Sequence, residues 1–240
     1  MKFLPLAAAF AVLSLAGAAQ ATVKVTYEAP RAQLTTVALG TPGVETFDGR
    51  SSGGFTTDFG AGGKITGVYS NLRTSGEGLN VFGADTYGGA GGTGSYAATF
   101  DTPGYQLDLT STEPGGVNYF GLWVSAIDEF NKVTIYSGDT AFEWNSSLLP
   151  ASIDSAYNGN PTNPWNQNSG QKYVFVNFFS STPIDKITFG GYGAGFETDN
   201  HTVGFISAAP EPATWGLMIV GFGAIGAVLR RRRAQAPAAA

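Results

Sequence analysis

From residue 22 to residue 209 the chain never sustains a helical period, and that narrows its fold more than any other feature. Its apolar residues alternate or cluster in short runs instead. Val23-Lys24-Val25-Thr26-Tyr27 and Val133-Thr134-Ile135-Tyr136 alternate strictly, as half-buried strands do. Residues 119–124, 173–179, 184–189 and 203–206 are short runs of aromatic and branched residues, the pattern of buried strands. Turn-forming clusters separate them: Asp48-Gly49-Arg50-Ser51-Ser52-Gly53-Gly54, residues 88–94, Glu113-Pro114-Gly115-Gly116, Ser137-Gly138-Asp139 and residues 158–170. Many short strands with frequent turns predict an all-β fold, an antiparallel β-sandwich of jelly-roll-like form. A domain of this length can bury about two-thirds of its unfolded surface in one core.

The two ends read differently. Residues 1–21 have the build of a signal peptide: Lys2 as the positive start, an apolar Ala/Leu run, and Ala19-Gln20-Ala21 as a small-residue cleavage site. At the other end, Pro210-Glu211-Pro212-Ala213-Thr214-Trp215 leads into an uncharged run over residues 213–229, closed by Arg230, Arg231, Arg232 and Arg233. At about 1.5 Å per residue this run spans about 25 Å, against about 30 Å of hydrocarbon, and arginines at its end can snorkel to the headgroups. A single C-terminal transmembrane helix over 213–229 is therefore expected, its arginines cytoplasmic and the preceding domain outside. The expected organisation is a signal peptide (1–21), an extracytoplasmic β-sandwich (22–209), a sorting segment (210–233) and a disordered tail (234–240).

Pro210-Glu211-Pro212, Trp215, the apolar run and the arginine cluster together resemble the PEP-CTERM sorting signal, in its PEPxxWA variant. Gly216 stands where that variant usually has Ala. The resemblance implies recognition by an exosortase after signal peptidase has acted, and a Gram-negative bacterium that makes exopolysaccharide. It implies an inner-membrane intermediate that is then cleaved and delivered to the cell surface or extracellular matrix. A second resemblance covers most of residues 80–205. It rests on Ala84-Asp85-Thr86-Tyr87-Gly88-Gly89, Asn118-Tyr119-Phe120-Gly121-Leu122-Trp123, Tyr157-Asn158-Gly159-Asn160-Pro161, Val176-Asn177-Phe178-Phe179 and Gly195-Phe196-Glu197-Thr198-Asp199-Asn200-His201. These blocks are similar to a family of exosortase-dependent surface proteins, which implies location but no catalytic residues.

Composition removes several functions. The chain has no Cys and one His, so disulfides, thiol chemistry and sites needing two imidazoles are excluded. Its net charge is −5, and residues 22–209 alone hold 8 basic and 17 acidic residues. So acidic a domain is not built to bind nucleic acid. Gly89-Ala90-Gly91-Gly92-Thr93-Gly94 satisfies G-x-G-x-x-G, but a strand-like segment follows where a dinucleotide site needs a helix, so it reads as a turn.

The remaining candidates are sparse. His201 has Asp199 nearby but no nucleophile elbow, and reads as a locally bonded histidine. Glu45, Asp48, Glu197, Asp199 and Asn200 are hard oxygen donors near the first and last strands, a possible calcium set, although the same side chains commonly hold turns. Asp128, Glu129 and Glu143 are the best acids for glycoside hydrolysis, with Trp123, Trp144 and Trp165 as candidate sugar platforms. Trp123 sits in an apolar run and is expected in the core. Trp165, in the polar stretch 158–170, and Tyr157 beside it are the expected glycan-binding residues. The leading expectation is a non-enzymatic surface or matrix protein associated with exopolysaccharide, with no catalytic residues and no cofactor beyond possible Ca²⁺. A carbohydrate-binding module is the runner-up, and a secreted glycoside hydrolase the third reading.

Overall fold

The computed structural model describes residues 21–72, 78–160, 167–191, 195–206, 218–223, 225, 226 and 230. Residues 1–20, Pro210 to Trp215, Trp165 and Arg231–Arg233 lie outside the described residues, so the signal peptide, the sorting motif and the Trp165 platform are not placed. The chain divides into two compact units, Met1–Phe205 and Ile206–Ala240.

Among the described residues the first unit holds fourteen strands. They are β1 (Val23–Tyr27), β2 (Gly40–Glu45), β3 (Phe55–Thr57), β4 (Ile65–Asn71), β5 (Asn80–Gly83), β6 (Ser95–Thr99) and β7 (Tyr105–Ser111). The rest are β8 (Tyr119–Ile127), β9 (Lys132–Ser137), β10 (Thr140–Asn145), β11 (Asn158–Asn160), β12 (Gln167–Ser180), β13 (Lys186–Gly190) and β14 (Phe196–Phe205). One sheet runs β1-β12-β8-β14-β6-β5, with β11 also on β12 and β2 also on β14; the other runs β10-β9-β13-β7-β4-β3. The pairings are antiparallel. Strand β6 pairs with β14, β7 with β13, β8 with β12 and β9 with β10. These four pairs nest around the Gly138-Asp139 hairpin and fall alternately in the two sheets, which is the winding of a jelly-roll.

The smaller sheet obeys simple alternation. Ile65 and Tyr69 of β4, Tyr105, Leu107 and Leu109 of β7, Val133 and Ile135 of β9, and Ile187 and Phe189 of β13 point into the core. From the larger sheet Phe120, Leu122 and Val124 of β8 and Val174, Val176 and Phe178 of β12 meet them in the same cluster. Tyr105 stacks on Phe189 at 4.5 Å, and Phe189 meets Phe120 edge-on at 6.1 Å. Each such buried ring removes apolar surface worth about 1.5–3 kcal/mol.

The larger sheet is covered on both faces, so all nine residues of β8 are buried. Trp123, Ala126, Tyr173 and Phe175 form a second cluster on its outer face. Residues 28–36 cover part of that face through Glu28. Its carboxylate accepts the Thr36 N–H at 2.9 Å, the Thr36 hydroxyl at 2.8 Å and Asn177 Nδ2 at 3.1 Å. Burial alone would raise this acid; these hydrogen bonds outweigh it and hold the acid below its ordinary value.

Several expectations change here. Residues 158–170 are not one long loop: Asn158–Asn160 is strand β11, and β12 already begins at Gln167. Trp144 is no sugar platform; it is fully buried and donates its indole N–H to Tyr27 Oη at 3.1 Å. In the second unit, residues 218–223, 225, 226 and 230 are helical. No helix among the described residues is long and apolar enough to cross a membrane, and much of the expected 213–229 span lies outside them.

Candidate functional site

The residues singled out near the last strand are distributed by one irregularity. Along β14, Asp199 stands opposite Trp123 but Thr202 opposite Gly121, so the strand carries one extra residue between them. Asn200 occupies the bulge with φ +50° and ties it down by donating Nδ2 to Gln33 O at 2.8 Å. A regular strand would put Asp199 and His201 on one face. The bulge sends them to opposite faces.

His201 therefore lies inside the sandwich. Its Nδ1 meets Tyr69 Oη at 2.9 Å, its Nε2 meets Thr198 Oγ1 at 2.9 Å, and its ring stacks on Phe189 at 4.9 Å. Complete burial lowers its pKa to about 3, so the ring is neutral and sealed from solvent. Its role is structural.

The candidate oxygen donors are mostly engaged elsewhere. Glu45 pairs with Arg50 at 2.8 Å and accepts the Phe47 N–H. Asp48 accepts the Ser95 N–H at 2.8 Å, beside Gly94, where a Cβ would strike Asp48 Oδ1. Asp199 accepts the N–H groups of Ala90 and Asn200, so the glycine-rich segment 89–94 acts as a clamp on the outer face rather than a phosphate cradle. Burial raises Asp199 to about 7, against the pull of those two donors. Among the described residues no group of three or more His, Asp or Glu is arranged to hold a metal ion.

The hydrolase and glycan candidates also separate. Glu143 is paired with Lys132 at 3.0 Å. Asp128 holds its own turn by accepting the Phe130 N–H and Asn131 Nδ2. Tyr157 is partly buried, packs on the main core and donates its hydroxyl to Glu28 O at 2.9 Å.

Glu197 is different. It lies on the outer face of β14, is 6% exposed, and faces Ser125 on β8 and Ala98 on β6 across the ladders. No other described residue donates a hydrogen bond to its carboxyl. Burial pushes it up to about 8; its own backbone N–H partly offsets this, and the charges of Asp128 and Asp85 add to the rise. Gly195, at φ +97°, leaves the space that Glu197 Oε1 occupies, since a Cβ there would lie 2.4 Å from that oxygen. Glu197 lines a hollow of about 250 Å³ together with Phe82, Asp85, Tyr87, Tyr96 and Phe100. The hollow lies over the β14-β6-β5 edge of the larger sheet. Asp85 is held in place by the Tyr96 hydroxyl at 3.1 Å and the Tyr87 N–H at 2.8 Å. Phe82, Tyr87 and Phe100 are 40%, 53% and 36% exposed, on a face where Trp123, Tyr173 and Phe175 are buried. Sequence reading named Glu197 only as a calcium ligand and passed over the three rings, because they are separated by up to eighteen positions and share no motif.

A family model of the PEP-CTERM protein-sorting motif matches residues 208–233. The chain carries a PEP-CTERM sorting signal. That signal marks an exported protein, targeted to exosortase and sorted to the cell surface. No curated protein and no solved structure matches the chain.

Proposed function

We propose that this is a non-enzymatic surface or matrix protein, anchored briefly by an inner-membrane helix over 213–229, processed by exosortase and then associated with exopolysaccharide. The observation that carries the reading is the sorting signal at residues 208–233. A chain sorted in this way would carry its sandwich to the surface, within reach of an exopolysaccharide. The resemblance of residues 80–205 to exosortase-dependent surface proteins supports the same destination. His201 supports the non-enzymatic part: the one imidazole is neutral, fully hydrogen-bonded and inaccessible, so no base–nucleophile pair can form on it.

Replacing Pro210-Glu211-Pro212 by three alanines tests the sorting step. The variant is expected to be exported with its signal peptide removed, yet to keep its C-terminal segment and remain in the membrane fraction. Normal processing and surface delivery of that variant would refute the reading. Retention of the wild-type chain on host polysaccharide, without release of reducing ends, tests the rest.

A further inference from the structure

The hollow around Glu197 has a chemistry that the sorting signal does not explain. Its polar side is acidic. Glu197 is more than nine-tenths buried without an outside hydrogen-bond donor, and Asp85 lines the same space. The charges that act on Glu197 are Asp128 and Asp85, with no lysine or arginine among them. The ion pairs of the described residues are Arg50–Glu45, Lys64–Glu113 and Lys132–Glu143, all formed with other acids. Directly across the ladder, Ser125 is fully buried with its hydroxyl unpartnered, as is the indole N–H of Trp123 opposite Asp199. A largely buried carboxyl that accepts no hydrogen bond from another described residue leaves its oxygens to whatever enters the hollow.

The apolar side is aromatic. Phe82 lies 6.0 Å from Tyr96 and 6.3 Å from Phe100, so three rings form a wall. Tyr87 adds a fourth, half exposed. Aromatic faces are negative and attract cations, and they also pack on the C–H face of a saturated ring. An anion is repelled by both walls. A neutral polyol can pack on the rings but brings no positive charge to Asp85 and none that would draw Glu197 into its ionised form. A protonated amine answers both, since it provides N–H donors to the carboxyl and positive charge to the rings. The volume is slightly below the about 300–1,000 Å³ of drug-sized pockets, which limits the occupant to about one ring.

We propose that this hollow binds an organic ammonium of monosaccharide size, held by Glu197 and Asp85 and packed against Phe82, Tyr87, Tyr96 and Phe100. The ammonium can belong to an amino-sugar unit of a polymer or to a free small amine. The proposal stands apart from the polysaccharide reading, because the binding chemistry does not depend on how the chain is sorted. Binding has a proton signature. The titratable groups facing Glu197 are Asp85, Tyr96, Asp128 and Tyr173, none of them cationic. Near neutral pH the empty site holds Glu197 largely protonated, so an arriving cation drives its ionisation and releases a proton.

The test is calorimetric titration of the purified full chain near pH 7, in two buffers of different ionisation enthalpy, with glucosamine, glucose and ethanolamine as probes. Glucosamine or ethanolamine is expected to bind with net proton release, and glucose at least tenfold more weakly. Binding of glucosamine alone assigns the source to an amino sugar; binding of ethanolamine alone assigns it to a free small amine. Glu197→Gln should weaken binding at least tenfold and abolish proton release. Tyr87→Ala, at an exposed position that endangers no core contact, should weaken it several-fold with release retained. Glucose binding as tightly as glucosamine, no binding of any probe, or unaltered binding by both variants would each overturn the proposal.

Discussion

At the scale of single residues, two buried titratable groups lie on opposite faces of β14 and respond oppositely to pH. His201, lowered to about 3, stays neutral when folded but takes a proton in the unfolded chain below about pH 6.5. Its contribution is therefore complete above pH 6.5 and lost as pH falls toward 3. Glu197, raised to about 8, stays protonated when folded but ionises in the unfolded chain above about pH 4.5. Its contribution is complete below pH 4.5 and lost as pH rises toward 8. Asp199 follows Glu197 between about 4 and 7. Glu197→Gln removes one titration and leaves the others. Between pH 5 and pH 8 the variant should gain on the order of 2–4 kcal/mol relative to the wild-type chain. Urea unfolding of both proteins at the two pH values measures it, and parallel pH dependences would contradict the assignment.

At the scale of elements, the bulge in β14 decides which of the candidate residues that follow Glu197 share a face. It rotates Asp199 to the outer face and His201 to the core, and Asn200 holds it in left-handed backbone. Asn tolerates that conformation, Gly adopts it freely, and β-branched residues resist it. Asn200→Gly should cost about 1 kcal/mol, for the lost hydrogen bond to Gln33 O. Asn200→Val should cost a further 1–2 kcal/mol or so. Chemical denaturation of the two variants measures the difference, and equal losses would mean that the bulge is not held at this residue. The bulge also shows where sequence reading failed. Period-2 alternation places residues 199 and 201 together, and no residue-level signal marks the inserted position except an Asn flanked by polar neighbours.

At the scale of the whole molecule, the nested pairing closes residues 22–206 upon themselves. Strand β14 is joined to β8, β6 and β2, and β1 is laid along β12 by five consecutive pairs. The main cluster draws on both sheets within these residues. A fragment comprising residues 22–206 is expected to unfold in one cooperative transition, with a midpoint within a few degrees of the same transition in the full chain. Scanning calorimetry decides it; a broad or missing transition would show that the C-terminal unit is needed for folding.

What was legible from sequence follows from range. The turn clusters and the runs at 23–27, 119–124, 133–136 and 173–179 are local, so they announced an antiparallel β-sandwich directly. The sorting signal is read by its receptor as a linear segment, and Pro210, Trp215 and Arg230–Arg233 needed no fold to be recognised. Strand β4 was harder: Gly67 leaves its inward face without a side chain between Ile65 and Tyr69, and its pairing with β7 supplies the missing preference. The Glu197 hollow was out of reach altogether. Its carboxyl and rings come from β5, β6, β14 and the segments beside β5 and β6, and they meet only because β14 returns to pair with β6. The sequence by itself determined the fold class and destination, because both are written in neighbouring residues. Only the tertiary structure decided which acid lines the hollow without a donor from the neighbouring strands, because that depends on what the sheet brings, and fails to bring, within hydrogen-bond reach.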